Sequence, residues 1–521
     1  MLESGPLSAL RTGDDAGGQT PCSASATPSQ LTQAPPDAGR PLGDLVQSLG
    51  ERTIDGDARL GITAVTYRSG EAGPGSLFFC VPGTQTDGHD FARAAVDAGA
   101  VALVVERRLP LEVTQVVVPS VRAAMGPISA AYYGRPSDRL AVVGVTGTNG
   151  KTTTTYLLES VFRAAGLVPG VIGTTGVRMA GTPEAFPRTT PEAPDLHRLF
   201  ARMVERGVQA VAMEVSSHGL HQRRVGGIRF DCAVFTNLTQ DHLDYHGTLE
   251  EYFRSKALLF DPSVAERAAV NWDSPEGRRL LRPDLPALTY GLSEGADLRA
   301  EDVATGLTGL SFRVGTSKIR SRLRGRFNVS NCLAAMAASR SVGIDERATV
   351  QGIAALPGVP GRLEPVEEGQ DFLVVVDYAH TPDSLENVLA AARALTSQRV
   401  LVAFGCGGDR DRGKRPLMGE VATRAADLTF ITSDNPRSED PLAIVAEIEA
   451  GATRGGGPFV VEPDRRAAIH AAIREARAGD VVVIAGKGHE TGQELAGRVI
   501  PFDDRVVAGE ELRALRQGAA P

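Results

Sequence analysis

The chain has 521 residues, of which 42% are hydrophobic and 23% charged, with a formal net charge of −8. That length exceeds what one hydrophobic core organises, so two to four domains of ordinary globular composition are expected. The acidic balance argues against a nucleic-acid partner, and no apolar run is long enough to span a membrane. The five cysteines at 22, 80, 232, 332 and 406 have no metal or disulfide spacing, which reads as a reduced, cytoplasmic protein.

Residues 1–40 are rich in Gly, Ser, Thr, Pro, Gln and Ala. They cannot supply a core, lack the apolar centre of a signal peptide, and are expected to form a disordered tail. A first folded unit is expected over 41–138, with short strands around 62–66, 76–80 and 102–105 and a helix near 91–98. A second unit is expected over 139–356. A third is expected over 357–521, after the hinge candidate Leu356-Pro-Gly-Val-Pro-Gly361.

The second unit opens with an apolar run at 140–143, followed by Gly144-Val-Thr-Gly147-Thr148-Asn149-Gly150-Lys151-Thr152-Thr153. Leu157, Leu158, Val161, Phe162 and Ala165 then recur at helical spacing, and Gly166 suits the helix end. A glycine-rich turn between a buried strand and a helix offers backbone N–H groups and a favourable dipole to a polyphosphate. Lys151 adds charge, and Thr152 places a hydroxyl for Mg²⁺. The strict P-loop spacing needs glycine at 145. Here Val145 stands there and Gly147 shifts the pattern, so this is a variant loop. Further strands around 209–213 and 232–236 lead into Glu214-Val-Ser216-Ser217-His218 and Asp241-His242-Leu-Asp244-Tyr-His246. Hard oxygens and a histidine at strand ends can hold Mg²⁺ beside ATP phosphates, although the same residues also suit a hydrogen-bonded loop. Lys256 lies on an expected helix, where a lone lysine reads as a solvated side chain.

In the third unit four apolar runs end in polar clusters. The run at 372–376 leads to Asp377-Tyr-Ala-His380, and the run at 400–404 to Gly405-Cys-Gly-Gly-Asp409-Arg410-Asp-Arg-Gly-Lys414-Arg415. The run at 428–432 leads to Ser433-Asp434-Asn435-Pro436-Arg437, and the run at 481–485 to Gly486-Lys487-Gly488-His489-Glu490. With helices between them, these predict an open parallel α/β sheet with one ligand crevice at its carboxyl ends. Asp377 and His380 read equally well as orienting groups or as a satisfied turn.

Together these motifs resemble the Mur ligases, ATP-dependent amide-forming enzymes of peptidoglycan synthesis. The resemblance rests on Gly147-Thr-Asn-Gly-Lys-Thr-Thr153, Glu214-Val-Ser-Ser-His-Gly-Leu220, Asp241-His-Leu-Asp-Tyr-His-Gly247, Gly325-Arg-Phe-Asn-Val-Ser-Asn331 and Gly358-Val-Pro-Gly-Arg362. Asp377-Tyr-Ala-His-Thr-Pro382, Asp434-Asn-Pro-Arg437 and Gly486-Lys-Gly-His-Glu490 point to the branch that adds a diamino acid. The resemblance implies a three-domain α/β fold. A smaller UDP-binding domain would precede a central P-loop ATPase domain with a parallel sheet and a C-terminal Rossmann-like domain.

It also implies substrates and roles. The substrates would be ATP, UDP-N-acetylmuramoyl-L-alanyl-D-glutamate and a diamino acid, handled by a monomer with Mg²⁺. Gly147, Thr148, Asn149, Gly150, Lys151, Thr152, Thr153 and Arg362 would bind ATP. Thr152, Glu214, His242 and Lys256, the last as a carbamate, would serve the metal, with Lys151, Lys256 and His242 catalytic. Thr66, Arg68, Thr84, Gln85, Thr86, Arg188, Thr189, Thr190, Ser216, Gln222 and Arg224 would hold the UDP-sugar peptide. Tyr67 stands where many members carry serine, and would offer its hydroxyl or ring to the uridine. Arg410, Asp434, Asn435, Pro436, Arg437, Gly486 and Glu490 would form the amino-acid pocket. Arg437 favours meso-2,6-diaminopimelate, whose second carboxylate lysine and ornithine lack. A folylpolyglutamate-synthase-like ligase shares the loop logic. A P-loop binding module without turnover and a metal hydrolase built on Asp241, His242 and His246 are the readings from other classes.

Overall fold

The computed structural model describes residues 39–83 and 86–518. The expected tail lies outside the described residues except for its last two positions, and Arg40 is already paired with Ile62 in a short antiparallel ladder. Thr84 and Gln85 also lie outside the described residues. Among the described residues no helix is long and apolar enough to cross a membrane.

The first unit is built on a five-stranded sheet in the order Thr53–Asp55, Thr114–Val117, Ala100–Val105, Ser76–Phe79, Ala64–Thr66. Side chains alternate faces along a strand. Leu77 and Phe79 therefore enter one core with Leu42, Leu45 and Met125, while Phe78 and Cys80 enter another with Ala92 and Ala95. The helix Val121–Tyr132 was not legible in the apolar pattern, because Gly126 and Pro127 interrupt it. Its glycine has a packing reason. A Cβ on Gly126 would lie 2.4 Å from the carbonyl oxygen of Gly226 in the central unit, so the two backbones touch there.

The central unit holds a nine-stranded sheet. Pro169–Gly173, Ala210–Glu214, Ala141–Thr146, Cys232–Phe235, Ala268–Asn271, Ala287–Gly291 and Leu298–Arg299 run parallel, and Gly176–Met179 and Thr182–Glu184 continue it antiparallel. Strands covered on both faces read as unbroken apolar runs. Val143 and Val145 pack with Leu157, Leu158, Val161 and Phe162 of helix Lys151–Ala164, whereas Val142 packs with Leu196, Phe200 and Met203 of helix Ala193–Glu205. Val145 is therefore a core strand residue. The strand runs on to Thr146, and Gly147, at φ 148°, makes the turn. This explains the shifted glycine.

The third unit carries a six-stranded sheet in the order Glu364–Pro365, Leu373–Asp377, Val481–Ala485, Val400–Phe404, Leu428–Ile431, Phe459–Val461. All but the first strand are parallel. The four expected runs are four of these strands, and their carboxyl ends share a cavity with the glycine loop of the central unit. Gly361, at φ 66°, packs so closely on the next loop that a Cβ would lie 2.2 Å from the His489 nitrogen.

Candidate active site

The strand Ala141–Thr146 and the helix Lys151–Ala164 hold the glycine loop between them. Gly150 caps the helix in the left-handed region at φ 87°, which favours glycine. The loop is tied to its neighbouring strand end. The Thr148 nitrogen donates to the Asn237 oxygen at 2.9 Å, and Thr236 Oγ1 donates to the Asn149 oxygen at 2.6 Å.

Two lysines converge on one carbonyl. Lys151 Nζ donates to the oxygens of Gly147 and Thr148 at 2.9 and 2.8 Å, and Lys256 Nζ donates to the same Gly147 oxygen at 2.9 Å. Lys256 is 1% exposed, so the solvated side chain expected from residue type alone is corrected: its helix Leu249–Ala257 turns that face inward. Its ammonium has the Tyr252 ring at 4.2 Å, and no carboxylate bridges it among the described residues. Burial, and then the neighbouring charge of Lys151, push the Lys256 amine well below its ordinary value. Burial also lowers Lys151.

Beside them Thr152 Oγ1 donates to Glu214 Oε1 at 3.0 Å, and Glu214 also accepts from the nitrogen and hydroxyl of Thr174, both at 3.0 Å. Asp241 is almost fully buried at a point where two units meet. His242 Nε2 lies 3.4 Å from its carboxylate, and His380 and Lys414 of the third unit each approach to 3.8 Å. Burial alone would raise this carboxyl, yet the surrounding basic groups hold it well below the usual carboxylate range. Burial pushes His242 down to about 3, so it is neutral near pH 7 with a free lone pair. Arg362, just past the hinge, reaches Thr152 Oγ1 with Nη2 at 3.1 Å and stacks over Tyr378 at 4.6 Å. Asn149 Nδ2 donates to Asp383 Oδ2 of the third unit at 2.8 Å. A cavity of about 300 Å³ joins these groups to Arg410, Asp434, Asn435, Arg437, Gly486 and Glu490. A second cavity of about 160 Å³ opens on the other side of Gly150, between Asn271, Phe327, Asn331 and Asn387. Thr153 lines it.

The third-unit residues are positioned by buried charge. Arg465 and Asp504, both fully buried, pair through two contacts of 2.8 and 2.6 Å, and the same guanidinium donates to the oxygens of Ser433 and Ala485. This clamps the strand ends that present Asp434 and Gly486. Lys487 Nζ, fully buried, donates to Asn435 Oδ1 at 3.1 Å and Glu490 Oε2 at 3.0 Å, and Asn435 Nδ2 donates to the same Glu490 oxygen at 2.8 Å. Asp377 is the satisfied turn of the two expected possibilities. Its carboxylate accepts the backbone nitrogens of Leu363 and Ala379 at 2.7 and 2.8 Å. Pro436 is buried behind its neighbours and does not line the cavity.

The residues expected to hold the sugar peptide form two groups. Glu192 bonds Arg188 at 2.6 Å and Arg224 at 3.0 Å, with Arg122 of the first unit at 3.5 Å. Thr190 Oγ1 donates to the Glu214 oxygen and accepts from the Ser216 nitrogen, both at 3.0 Å, and Thr189 lies 3.2 Å from Thr174. Gln222 accepts from Arg224 at 2.6 Å. Of this group Thr189 and Ser216 line the cavity, and the others lie behind them. Thr66, Arg68 and the exposed Thr86 do not line it. Tyr67 turns its hydroxyl to Asp195 of the central unit, donating at 2.9 Å, and Arg68 reaches the same oxygen at 2.8 Å, so both clasp the two units together. Sequence reasoning gave no role to Lys414, Asp383, Asn271 or Arg122. Lys414 stood in a quoted polar cluster, but the other three carry no local signal, because their partners are remote in sequence.

One cavity thus unites a phosphate loop with the strand-end clusters of another unit. Three family models match the chain: the Mur ligase middle domain over 145–339, the Mur ligase glutamate ligase domain over 361–488, and the Mur ligase family catalytic domain over 61–134. The chain belongs to the Mur ligase family. It is 50% identical over 467 residues to a UDP-N-acetylmuramoyl-L-alanyl-D-glutamate–2,6-diaminopimelate ligase of Geobacillus thermodenitrificans, covering 87% of this chain and 96% of that protein. A solved structure bearing the same enzyme name superposes with TM-score 0.65 at 37% identity, covering 89% of this chain and 97% of that one. A Mycobacterium tuberculosis folylpolyglutamate synthase complexed with ADP and AMPPCP superposes with TM-score 0.58 at 18% identity, over 74% and 93% of the two chains. That last match shares the Mur ligase fold only.

Proposed function

We propose that this Mur ligase uses ATP to join a diamino acid, meso-2,6-diaminopimelate, to UDP-N-acetylmuramoyl-L-alanyl-D-glutamate in peptidoglycan synthesis. The observation that carries this reading is the cavity shared by Lys151, Thr152 and Glu214 of the central unit and Arg410, Asn435, Arg437 and Glu490 of the third. A nucleotide with its phosphates on the loop can place its base in the smaller cavity beyond Gly150. The cluster of Arg122, Arg188 and Arg224 around Glu192 offers excess positive charge to the anionic sugar peptide.

The donor set fits Mg²⁺. Thr152 and Glu214 bring hard oxygens to within hydrogen-bond distance of each other, and His242 is neutral. Lys256 as an ammonium would oppose a cation. As a neutral buried amine it can attack CO₂, forming an N–C bond and releasing a proton, and the resulting carbamate is a carboxylate-like ligand. Thr152, Glu214, His242 and a carbamylated Lys256 would hold Mg²⁺, which would supply positive charge to offset the repulsion between a carboxylate and the ATP phosphates.

The rest follows from this chain's own groups. A carboxylate does not accept an amine directly, because oxide is too poor a leaving group. The D-glutamate γ-carboxylate attacks the γ-phosphorus, the bond to ADP breaks, and an acyl phosphate forms. Lys151 and the loop amides hold the charge that develops on the phosphoryl oxygens, and Arg362 closes over them from the hinge. The amine, free of its extra proton, then attacks the acyl carbon, and phosphate leaves with its bonding electrons. Asn435, Arg437 and Glu490 fix where that amine sits, so much of the gain is positional. Asp241, ringed by His242, His380 and Lys414, ties the two units in the closed arrangement. The described cysteines are all buried, which suits a reducing cytoplasm, and on this reading the protein acts as a monomer.

The test is ADP release with purified protein. It should require both the UDP-muramoyl dipeptide and a diamino acid, and Lys151→Ala should abolish it. In an amino-acid panel meso-diaminopimelate should be the best acceptor. Lysine or ornithine outpacing it would overturn the choice of amino acid, and full activity in Lys151→Ala would remove the nucleotide assignment.

A further inference from the structure

Arg437 stands between two spaces. The catalytic cavity lies on one side, and an open groove of about 620 Å³ lies on the other, between the central unit's Thr174 and Phe186 and a hairpin of the third unit. Asn435, Arg437 and Glu490 line both spaces, so the groove is a side entrance to the amino-acid pocket.

The hairpin consists of Gly492–Leu495 and Arg498–Pro501. A two-stranded hairpin is marginal alone. Its outer side is bare, with Val499 71% exposed. The Arg437 turn holds it, together with the bonds from Lys487 Nζ to the Gly492 oxygen and from Gln493 Nε2 to the Asp434 oxygen. The Arg437 nitrogen donates to the Glu494 oxygen at 3.0 Å, the Ala496 nitrogen to the Arg437 oxygen at 2.8 Å, and the Glu494 nitrogen to Asn435 Oδ1 at 2.9 Å. These ties keep Arg437 at φ 54°, a left-handed conformation that a long side chain rarely adopts.

The guanidinium is also engaged. Nη1 donates to the Gly408 oxygen at 2.6 Å, and Nε faces Glu494 Oε2 at 3.3 Å. A carboxylate from this chain thus sits on the guanidinium that the family resemblance assigns to the second carboxylate of the amino acid. Such a contact sets a negative charge beside Arg437, and a bidentate grip on an incoming carboxylate requires the fork to be released.

We propose that Glu494 is an internal competitor for the distal-carboxylate site: it holds Arg437 in the empty pocket and is displaced when a diamino diacid arrives. The inference rests on the ligase reading and on Arg437 as the receptor for that carboxylate. Glu494 acts through Arg437, so it is a positioning residue. It weakens the diacid, which must displace it. It favours an amino acid ending in a lone ammonium, because it masks the positive charge that would repel that group. Glu494 therefore narrows the choice between diaminopimelate and lysine.

Glu494→Gln keeps the shape and the backbone ties but removes the charge. Steady-state kinetics should show the KM for meso-diaminopimelate falling about 2- to 5-fold, the size expected of a partly exposed ion pair, with kcat and the KM for ATP unchanged. Lysine, read as a substrate or as an inhibitor of the diaminopimelate reaction, should gain nothing, so the preference for the diacid widens. An unchanged or raised KM for diaminopimelate, or an equal gain for lysine, would overturn the competitor role. An active enzyme with an unaltered Glu494→Gln profile removes only this inference. A wild-type protein that turns over no diamino acid removes the ligase reading itself.

Discussion

Lys256→Met separates a structural lysine from a chemical one. Methionine has nearly the same length and volume, so the buried space stays filled. The substitution removes one hydrogen bond, from Nζ to the Gly147 oxygen, and that oxygen keeps its bond from Lys151. A neutral hydrogen bond contributes about 1 kcal/mol, and relief of the desolvated amine works in the opposite direction. The expected net change is within about 1 kcal/mol, which moves the melting temperature by no more than about 4 °C for a unit of this size. Activity should behave differently. Loss of a group that organises charge at the phosphoryl centre should lower kcat by about 10²- to 10³-fold. Thermal melting and ADP release on the same preparations measure both quantities. Removing dissolved CO₂ should lower wild-type activity, and bicarbonate should restore it. Lys256→Met with activity near wild type would refute the chemical role. A large fall in melting temperature with matching loss of activity would make the lysine structural.

Arg362→Ala removes the contact from the hinge to Thr152 and should raise the KM for ATP by about 10-fold or more, as expected for a charge-assisted hydrogen bond, with secondary structure by circular dichroism unchanged. Arg437→Lys keeps the charge but loses the planar fork. The kcat/KM for diaminopimelate should fall by about 10-fold or more while that for lysine barely moves, and equal losses would refute fork recognition. Acid stability tests the buried histidines. Burial lowers His197 and His246 to about 4 and His242 to about 3, so they are neutral when folded and protonated when unfolded between those values and about 6.5. Their contribution is fully present above about pH 6.5 and is lost as pH falls toward 4, on the order of 2 kcal/mol by pH 5 for the fully buried His197. His197, far from the cavity and bonded to the Gly226 oxygen, is the clean probe: the melting temperature of His197→Gln should fall less steeply between pH 6.5 and 5 than that of wild type.

The legible parts of this chain were those with local causes. The strand, glycine loop and helix around Lys151 could be read because strand burial, turn chemistry and helical periodicity all fall within about thirty residues. The four polar clusters of the third unit were legible for the same reason. Lys256 was misread because helix type does not say which face is covered. Only Gly147 and Lys151, brought in from the loop and helix of the glycine turn more than a hundred residues away, make that face an interior one. The clasp made by Tyr67 was not legible for the complementary reason: the residue that takes its hydroxyl, Asp195, lies 128 positions away.

The sequence by itself determined the kind of chemistry. Loop spacing, the hydroxyl after Lys151 and the polar strand ends follow from backbone geometry and short-range pattern, and together they point to phosphate chemistry with a second ligand. Tertiary structure decided which groups confront one another. It set Asp241 between His242 and two groups of another unit, buried the Lys256 amine and lowered its hold on a proton, and placed Glu494 against Arg437. Ionisation and competition between charges depend on burial and on distances across the chain, and neither is written in the order of the residues.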